Sequence, residues 1–472
     1  MKFRTESDSL GSMDIPVNAY YGVQTARAMQ NFTVTGIPLS HFGKHVEALA
    51  CIKEACAQAN LELGLLGQDR AAAIVQAARE VREHEYDDQF PVDVVQGGAG
   101  TSVNMNANEV IANRALEILG FAKGNYQHCH PNNHVNLSQS TNDVYPTSIR
   151  LAAIWYGREL KDLLLELKQA FAAKGDEFAG VIKMGRTQLQ DAVPMTLGQE
   201  FHAFGVTVAE DAERIGDALR LLTEINMGAT AIGTGILTLP EYAELVRARL
   251  SEVSGIDLST AGNLVEATSD TGALVQLSGV LKRVAVKLSK ICNDLRLLSS
   301  GPFAGLQEIT LPPVQPGSSI MPGKVNPVIP EMVNQVCYQV VGNDVSVTMA
   351  AESGQLQLNV FEPIMALNLF QSMDMLGRSV RIFMDKCLSG IAANPRRCAE
   401  MVRRSSGLAT ALVPCLGYEG AARVAKLAQA SGRTVYEEVL EAGLLSAEEI
   451  DKVLDPEVMT CPGGNGMDRE DK

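Results

Sequence analysis

Four short stretches of this chain cluster Gly with small polar residues in a way that the packing of helices does not require. They cover residues 96–106, 138–143, 185–191 and 317–327. Each offers hydroxyls, side-chain amides and backbone N–H groups, and two of them also carry a cation. Such a set of hydrogen-bond donors suits a small molecule that bears carboxylate groups.

The stretch at residues 317–327 is the most informative of the four. Gly317 and Gly323 permit backbone conformations that are closed to other residues, and Pro327 is a favoured residue at a helix start. Lys324 is therefore expected near a helix N-terminus, where its charge, the helix dipole and free N–H groups would form an anion site. An ordinary turn between helices, with solvated Ser and Lys side chains, is an equal alternative on these grounds.

Two nucleotide-binding patterns fail on spacing. A phosphate-binding loop needs four residues between its glycines and Ser or Thr after the Lys, whereas five residues separate Gly317 from Gly323 here and Val325 follows Lys324. The segment 228–235 misses the G-x-G-x-x-G spacing of a dinucleotide fold. We expect close backbone packing at 228–235 instead.

Simpler interpretations also exist for the other polar segments. Thr101 and the loop at residues 140–142 could serve only as helix caps and turns, for which these residue types are common. His128, Cys129, His130 and His134 could be read as zinc ligands. The Pro131-Asn-Asn sequence favours a turn there, and we expect no metal site.

Composition and charge exclude several classes of function. The chain has 472 residues, of which 46% are hydrophobic, and a formal net charge of −15. An acidic chain repels nucleic-acid phosphates and anionic lipids, so we expect neither as a partner. The start of the chain has no secretory pattern, and the nine cysteines include no C-x-x-C pair, so free thiols in the cytoplasm are expected. Any anionic substrate must be attracted by local groups.

The middle of the chain predicts long helices with apolar stripes. Apolar residues between Leu274 and Leu298, and again between Leu369 and Cys387, recur at spacings of three and four. Thr196 and Gln199 form a capping-box pattern. About five such helices would form a bundle whose remaining faces are buried by other subunits.

The chain is expected to be mainly α and to contain three domains. Residues 1–141 would form a mostly helical domain with loops at 96–106 and 130–142, and residues 142–395 the long-helix bundle. Residues 396–472 would form a small helical domain that ends in a mobile tail from Cys461.

The stretch Gly317-Ser-Ser-Ile-Met-Pro-Gly-Lys-Val-Asn-Pro327 resembles the signature of the fumarase/aspartase superfamily. The resemblance extends over nearly the whole chain and includes residues 20–27 and 293–302. It implies the fold of that superfamily, in which the central helices of a homotetramer pool into a twenty-helix bundle. It also implies active sites that are each drawn from three subunits.

Within the superfamily, residues 96–102, 183–201 and 354–360 resemble the aspartate ammonia-lyases more than the fumarases. This resemblance implies a carbon–nitrogen lyase that reversibly converts L-aspartate to fumarate and ammonia through an enediolate-like (aci-carboxylate) intermediate. No cofactor is implied, although activation by a divalent cation is left open. A class II fumarate hydratase acting on malate, or a non-catalytic helical-bundle protein of the superfamily, are the alternatives.

The resemblance also implies roles for individual residues. Ser318 matches the general base that takes a proton from the β-carbon, on a loop that closes over the ligand. The substrate-binding positions are Thr101, Ser140, Thr141 and Ser319 for the β-carboxylate, Lys324 and Asn326 for the α-carboxylate, and Asn142, Thr187 and Gln188 towards the amino group.

Gln188 departs from much of the superfamily, which commonly has His at this position. A glutamine side chain cannot act as a general acid or base. Ammonium is already a protonated leaving group whereas hydroxide needs a proton, so Gln188 favours an ammonia-lyase over a hydratase. The departure also removes the usual partner proposed to assist Ser318.

Overall fold

A computed structural model describes residues 2–460 and confirms that the chain is mainly α. Sixteen α-helices and eight short strands lie within this range. The predicted mobile tail from Cys461 lies outside the described residues. No helix among residues 2–460 is both long and apolar enough to cross a membrane.

The α-helices are listed here in chain order. They are α1 (Val23–Asn31), α2 (Gly43–Glu62), α3 (Gln68–Arg82), α4 (Thr101–Ile118), α5 (Thr141–Glu177), α6 (Leu197–Leu221), α7 (Tyr242–Ser254), α8 (Leu264–Ser269), α9 (Gly272–Leu298), α10 (Val328–Glu352), α11 (Glu362–Lys386), α12 (Pro395–Arg404), α13 (Val413–Ser431), α14 (Val435–Glu441), α15 (Ala447–Val453) and α16 (Pro456–Met459).

The strands form four two-stranded sheets. The antiparallel pairs are β1 (Phe3–Asp8) with β2 (Gly11–Pro16), β3 (Ile182–Thr187) with β4 (Gln190–Thr196), and β7 (Ile309–Thr310) with β8 (Ala392–Ala393). The parallel pair is β5 (Glu224–Ile225) with β6 (Ser259–Thr260).

Five helices of 25 or more residues confirm the predicted long-helix region: α5, α6, α9, α10 and α11. Every member of the apolar stripe from Leu274 to Leu298 is buried. The capping box also forms, because Thr196 Oγ1 accepts the Gln199 N–H at 3.0 Å and Gln199 Oε1 accepts the Thr196 N–H at 3.0 Å.

Two predicted loops are shorter than the sequence indicated. Helix α4 begins at Thr101, inside the expected loop at 96–106, and α5 begins at Thr141, inside the expected loop at 130–142. The first turns of both helices are rich in Asn, Asp, Ser and Thr, which read as loop residues in the sequence. Some of the polar side chains in these helices bond to distant residues, as the buried Asn106 Nδ2 donates to Gln89 O at 2.8 Å.

The described chain divides into two compact units. Unit 1 contains residues 2–162, 211–286 and 336–377, and unit 2 contains residues 163–210, 287–335 and those from 378 onward. Helix α2 packs against α3 and α7 in unit 1. The rings of Phe171, Phe201 and Phe204 contact one another in unit 2. The division into three domains remains a prediction.

None of the eight cysteines within residues 2–460 forms a disulfide. Seven of them are buried and only Cys415 is exposed. The close packing expected at 228–235 is confirmed, since a Cβ at Gly233 would lie 2.3 Å from the Val265 Cα.

The core of unit 1 contains a neutral histidine. His45 is 2% exposed, and its Nε2 lies 2.9 Å from the Ser148 hydroxyl. Ser148 donates its own proton to Tyr145 O at 2.7 Å, so the imidazole must donate to Ser148. Burial lowers the pKa of His45 from 6.5 to about 3. Below pH 6.5 the unfolded chain therefore binds a proton at His45 that the folded chain excludes. The free energy of unfolding falls as the pH decreases from about 6.5 towards 3.

We expect replacement of His45 by Gln, which can still donate to Ser148, to flatten the loss of stability in acid. The measurement is the free energy of unfolding of both proteins between pH 7 and pH 4.5. His41 is exposed in unit 1, so His41→Gln serves as the control and should retain the wild-type slope. Parallel curves for His45→Gln and the wild type would contradict this account.

Candidate active site

The glycine-rich segment before α4 places Thr101 at the helix start. Gly98 and Gly100 have φ values of +90° and +85°, in the left-handed region that favours glycine. Gly100 also lies against the Tyr145 ring, where a Cβ would come within 2.3 Å of a ring carbon. Thr101 is exposed, and its hydroxyl donates to Gly98 O at 2.8 Å.

Helix α5 begins at a second cluster of predicted residues. The Ser140 N–H donates to Asp143 Oδ1 at 3.0 Å, and Thr230 N–H donates to Asp143 Oδ2 at 2.9 Å. Burial raises the pKa of Asp143 to about 7, while these two N–H groups and the nearby Lys53 oppose the rise. The Ser140 hydroxyl accepts the Asn142 N–H at 3.2 Å, which leaves its proton available for a ligand.

Asn142 is partly engaged within unit 1. Its side-chain Nδ2 donates to Ala231 O at 2.7 Å, and its backbone carbonyl oxygen accepts from Asn226 Nδ2 at 3.0 Å. These contacts hold the segment that follows Gly228 against the start of α5. They fix the Asn142 side chain in place.

Sequence reasoning missed the buried cation that connects the starts of α4 and α5. Lys53 on α2 is 0% exposed, and its Nζ donates to Asn104 Oδ1 at 2.7 Å, Gln139 Oε1 at 2.8 Å and Asn136 Oδ1 at 3.1 Å. Asn104 Nδ2 in turn donates to Thr141 Oγ1 at 3.1 Å. The available signal was a Lys inside the otherwise apolar run at 48–52 and 55–57.

The charge state of Lys53 follows from its surroundings. Burial lowers the pKa of Lys53 to about 7. Three side-chain amide oxygens at hydrogen-bonding distance favour the ammonium form, because they can only accept. The negative charge of Asp143, which lies 90 positions away in the chain, also favours the ammonium form. Unit 1 thus holds a buried cation at the starts of α4 and α5, and side-chain oxygens accept all three of its protons.

A cavity of about 500 Å³ adjoins Thr101 in unit 1. Arg27, Tyr126, His130 and Asn132 also line it. His130 caps a short π-helical turn over Pro131–Val135, since its Nδ1 accepts the N–H groups of Asn132 and Asn133. The histidine segment therefore forms the turn that its Pro-Asn-Asn sequence favours.

In unit 2, the loop that contains Ser318 is closed by its own hydrogen bonds. Gly317 N–H donates to Lys324 O at 2.8 Å, and Asn326 Nδ2 donates to Gly317 O at 2.7 Å. Gly317 is required there because a Cβ would lie 2.5 Å from the Lys324 oxygen. The Ser318 hydroxyl accepts N–H groups from Ile320 at 3.2 Å and Met321 at 3.0 Å.

Lys324 and Ser318 line the same cavity of about 480 Å³. Lys324 is exposed and precedes the start of α10 at Val328 by four residues. Pro327 O accepts the Glu331 N–H at 3.1 Å and so begins the helical hydrogen bonding, as the sequence predicted. Ser319 is exposed on the same loop.

Thr187 and Gln188 lie at the tip of the β3–β4 hairpin in unit 2. Gln188 and Leu189 form a two-residue turn with φ values of +54° and +61°. Asn and Gly normally occupy such a turn, so this tip is strained. The Gln188 side chain is exposed. The sequence indicated a polar loop here, but it did not indicate the hairpin.

A buried network of charges supports the base of this hairpin. Glu308 is 0% exposed, and its two oxygens lie 2.7 Å from Arg186 Nη1 and 2.8 Å from Lys183 Nζ. Lys183 also pairs with Glu200 at 2.6 Å. Buried charges are tolerated when opposite charges lie beside them in this way. Arg186 directly precedes Thr187 in the chain.

The predicted site residues thus fall into three groups. Thr101, Ser140, Thr141 and Asn142 gather at two adjacent helix starts in unit 1. Within unit 2, Ser318, Ser319, Lys324 and Asn326 share one loop, whereas Thr187 and Gln188 lie on the hairpin tip.

Comparison with known protein families assigns most of the chain. Residues 11–342 match the family model described as "Lyase", and residues 408–461 match the model described as "Fumarase C C-terminus". The chain belongs to the lyase family of the fumarase/aspartase superfamily. The expectation drawn from its signature loop is confirmed.

Curated relatives of this lyase are similar over almost their full length. It is 58% identical to the aspartate ammonia-lyase of Pseudomonas aeruginosa over 460 residues, which cover 97% of each chain. It is 54% identical to that of Helicobacter pylori, covering 97% of this chain and 98% of the relative. It is 51% identical to that of Escherichia coli K12, with coverage of 97% and 96%.

Solved structures confirm the predicted fold of the lyase. The cobalt-bound "fumarate lyase:delta crystallin" from Brucella melitensis superposes with a TM-score of 0.96 at 57% identity, covering 98% of this chain and all of that one. The class II fumarase from Schistosoma mansoni superposes with a TM-score of 0.92 at 37% identity and the same coverage.

The contact between Gly100 and Tyr145 should make any side chain at position 100 destabilising in this lyase. We expect Gly100→Ala to lower the free energy of unfolding by about 2 kcal/mol or more, because the new methyl group overlaps the ring in an unfavourable backbone region. Denaturant titration measures this loss. Gly97→Ala is the matched control in the same loop, since its Cβ would meet only the Phe32 ring at 3.9 Å. Equal stability of the two variants would refute the argument.

Proposed function

We propose that this lyase eliminates ammonia from L-aspartate to give fumarate, in a reversible reaction without an organic cofactor. The observation that carries the proposal is the Ser318 loop, where a hydroxyl that accepts two backbone N–H groups shares a cavity with the Lys324 ammonium. The sequence identity of 51–58% to aspartate ammonia-lyases supports the choice of substrate.

Ser318 would act as the general base towards the β-carbon proton. A serine hydroxyl is a weak base, so its alkoxide must be stabilised before it can accept a proton. The N–H groups of Ile320 and Met321 already donate to the Ser318 Oγ and would stabilise that charge. Lys324 adds a positive charge at the same cavity. This arrangement supports activation of Ser318 without a histidine at position 188.

Loss of the β-carbon proton would place a second negative charge on the β-carboxylate, in the aci-carboxylate form. Hydrogen-bond donors must therefore face that group. We assign this role to Thr101, Ser140, Thr141 and Ser319; the Thr101 hydroxyl would exchange its bond to Gly98 O for one to the ligand. Ser140 and Thr141 each accept a hydrogen bond from the protein and keep their own proton for a ligand.

Lys324 and Asn326 would hold the α-carboxylate, and Asn142, Thr187 and Gln188 would lie towards the amino group. The Asn326 amide donates to Gly317 O and retains a second N–H and its carbonyl oxygen for a ligand. Gln188 can orient an ammonium group but cannot protonate a leaving hydroxide. This difference favours ammonia-lyase activity over fumarase activity.

We further propose a homotetramer in which three subunits contribute to each site. Helix α10 supports this assembly, because both of its faces carry apolar residues. Val333, Cys337, Val340 and Val347 are buried, whereas Tyr338, Val345 and Met349 are 55–65% exposed at spacings of seven and four residues. A helix that is apolar on its exposed side commonly packs against a partner. The free thiols are consistent with a cytoplasmic enzyme.

A substrate assay tests the activity. We expect L-aspartate to yield fumarate, detected by its ultraviolet absorbance, and L-malate and argininosuccinate to yield none at the same enzyme concentration. Turnover of malate without turnover of aspartate would establish a fumarase instead. Absence of activity on all three substrates would favour the non-catalytic alternative.

Replacement of Ser318 by Ala tests the base. We expect kcat to fall by at least about 100-fold with little change in substrate affinity, because only proton transfer loses its acceptor. Sedimentation should give four times 50.6 kDa for both variant and wild type. Ser353→Ala, an exposed serine at the end of α10, is the control and should keep full activity. Substantial activity of Ser318→Ala would exclude Ser318 as the base.

A further inference from the structure

We propose that Asn104 is a positioning residue that makes the Thr141 hydroxyl a donor towards the substrate. Lys53 sets the orientation of the Asn104 amide, and that amide sets the direction of the Thr141 hydrogen bond. The inference rests on the proposed function, since it concerns the β-carboxylate that Thr141 is assigned to hold. Neither Lys53 nor Asn104 was among the predicted site residues.

The orientation of Asn104 follows from the chemistry of Lys53. An ammonium group has three protons and no acceptor. Its three partners, Asn104, Asn136 and Gln139, must therefore each turn an oxygen towards it, at 2.7, 3.1 and 2.8 Å. All three protons of Lys53 are used, so the Asn104 amide cannot reverse without leaving one of them unpaired. The NH₂ group of Asn104 must then point away from Lys53.

That NH₂ group has two acceptors within reach. Asn104 Nδ2 lies 3.1 Å from Thr141 Oγ1 and 3.2 Å from Asn136 Oδ1. The Asn136 oxygen also accepts from Lys53 and from Asn108 Nδ2. The Asn136 amide therefore cannot reverse and turn its NH₂ group towards Asn104. Asn104 itself is 1% exposed, which keeps water from replacing these contacts.

The Thr141 hydroxyl is left with one function. A hydroxyl has one proton, and because Thr141 accepts from Asn104, that proton is free to face a ligand. With a reversed amide, Thr141 would donate to Asn104 and turn a lone pair towards the carboxylate. The difference matters most in the transition state, where negative charge grows on that carboxylate.

The variant Asn104→Asp reverses this polarity with little change in shape. Both carboxylate oxygens accept, so one would pair with Lys53 while the other takes the proton of Thr141. We expect kcat/KM for L-aspartate to fall by about 10- to 100-fold, which corresponds to one lost hydrogen bond to a charged group, with most of the loss in kcat. The pairing with Lys53 should keep the protein folded, as measured by thermal unfolding.

The matched control is Asn108→Asp, one turn further along α4. Asn108 is also buried and donates to the same Asn136 oxygen at 3.1 Å, but it has no contact with Thr141. We expect this variant to lose stability while kcat/KM changes by less than about threefold. Equal kinetic losses in the two variants would mean that any carboxylate near Lys53 has this effect, which would overturn the proposal.

A double-mutant cycle separates positioning from a general structural effect. Thr141→Val removes the hydroxyl, and we expect a loss in kcat/KM similar to that of Asn104→Asp. In the Thr141→Val background, Asn104→Asp should cost less than about twofold, because no hydroxyl remains to be misdirected. Additive losses would show that Asn104 acts independently of Thr141 and would overturn the proposal.

Binding of succinate, a dicarboxylate, distinguishes this proposal from the proposed function. If the wild type binds succinate in calorimetry but does not deaminate aspartate, the proposed function is wrong. Succinate binding by the four proteins of the double-mutant cycle then still tests the direction of the Thr141 hydrogen bond. Weaker binding by Asn104→Asp, with no further loss in the Thr141→Val background, would support it. Unchanged binding would overturn it, and a wild type that neither turns over aspartate nor binds succinate would remove both proposals.

Discussion

The buried ammonium of Lys53 is the interaction on which the organisation of unit 1 depends. A cation without solvent must have every proton accepted, and here three side-chain amides from α4 and from the segment before α5 converge on it. This requirement brings the start of α4, the turn after Pro131–Val135 and the segment before α5 to one point. The Thr141 hydroxyl accepts a hydrogen bond from Asn104 at that point, so its orientation follows from the solvation of one charge.

In unit 2, backbone hydrogen bonds and buried ion pairs hold the polar groups of the predicted site in place. The Ser318 loop closes on itself through Gly317, Lys324 and Asn326, and its N–H groups converge on the Ser318 oxygen. The hairpin tip with Gln188 is held in a strained turn above the buried Glu308 network. Strained or closely packed backbone persists only where the surrounding contacts specify it. Both features thus serve to hold polar groups in fixed directions.

These arrangements resolve the apparent conflict between an acidic chain and an anionic substrate. The net charge of −15 sums all acidic and basic side chains, and solvent and salt screen those that lie at the surface. The groups that would meet a dicarboxylate are hydroxyls, amides, backbone N–H groups and Lys324. Local dipoles in a partly dry site act more strongly than distant surface charges. The exposed apolar face of α10 would complete such a site by bringing further subunits to it.

The sequence by itself determined the helical class, the long amphipathic helices, the capping box at Thr196 and the signature loop around Ser318, because these depend on periodicity and local spacing. Only the tertiary structure decided where α4 and α5 begin and that Lys53 and Asn104 lie beneath Thr141. Those features depend on contacts between residues that are distant in the chain, such as the 51 positions between Lys53 and Asn104. A lysine in a sequence is normally predicted to lie at the surface. The amide oxygens that allow Lys53 to be buried come from distant parts of the chain and reach it only in the folded protein.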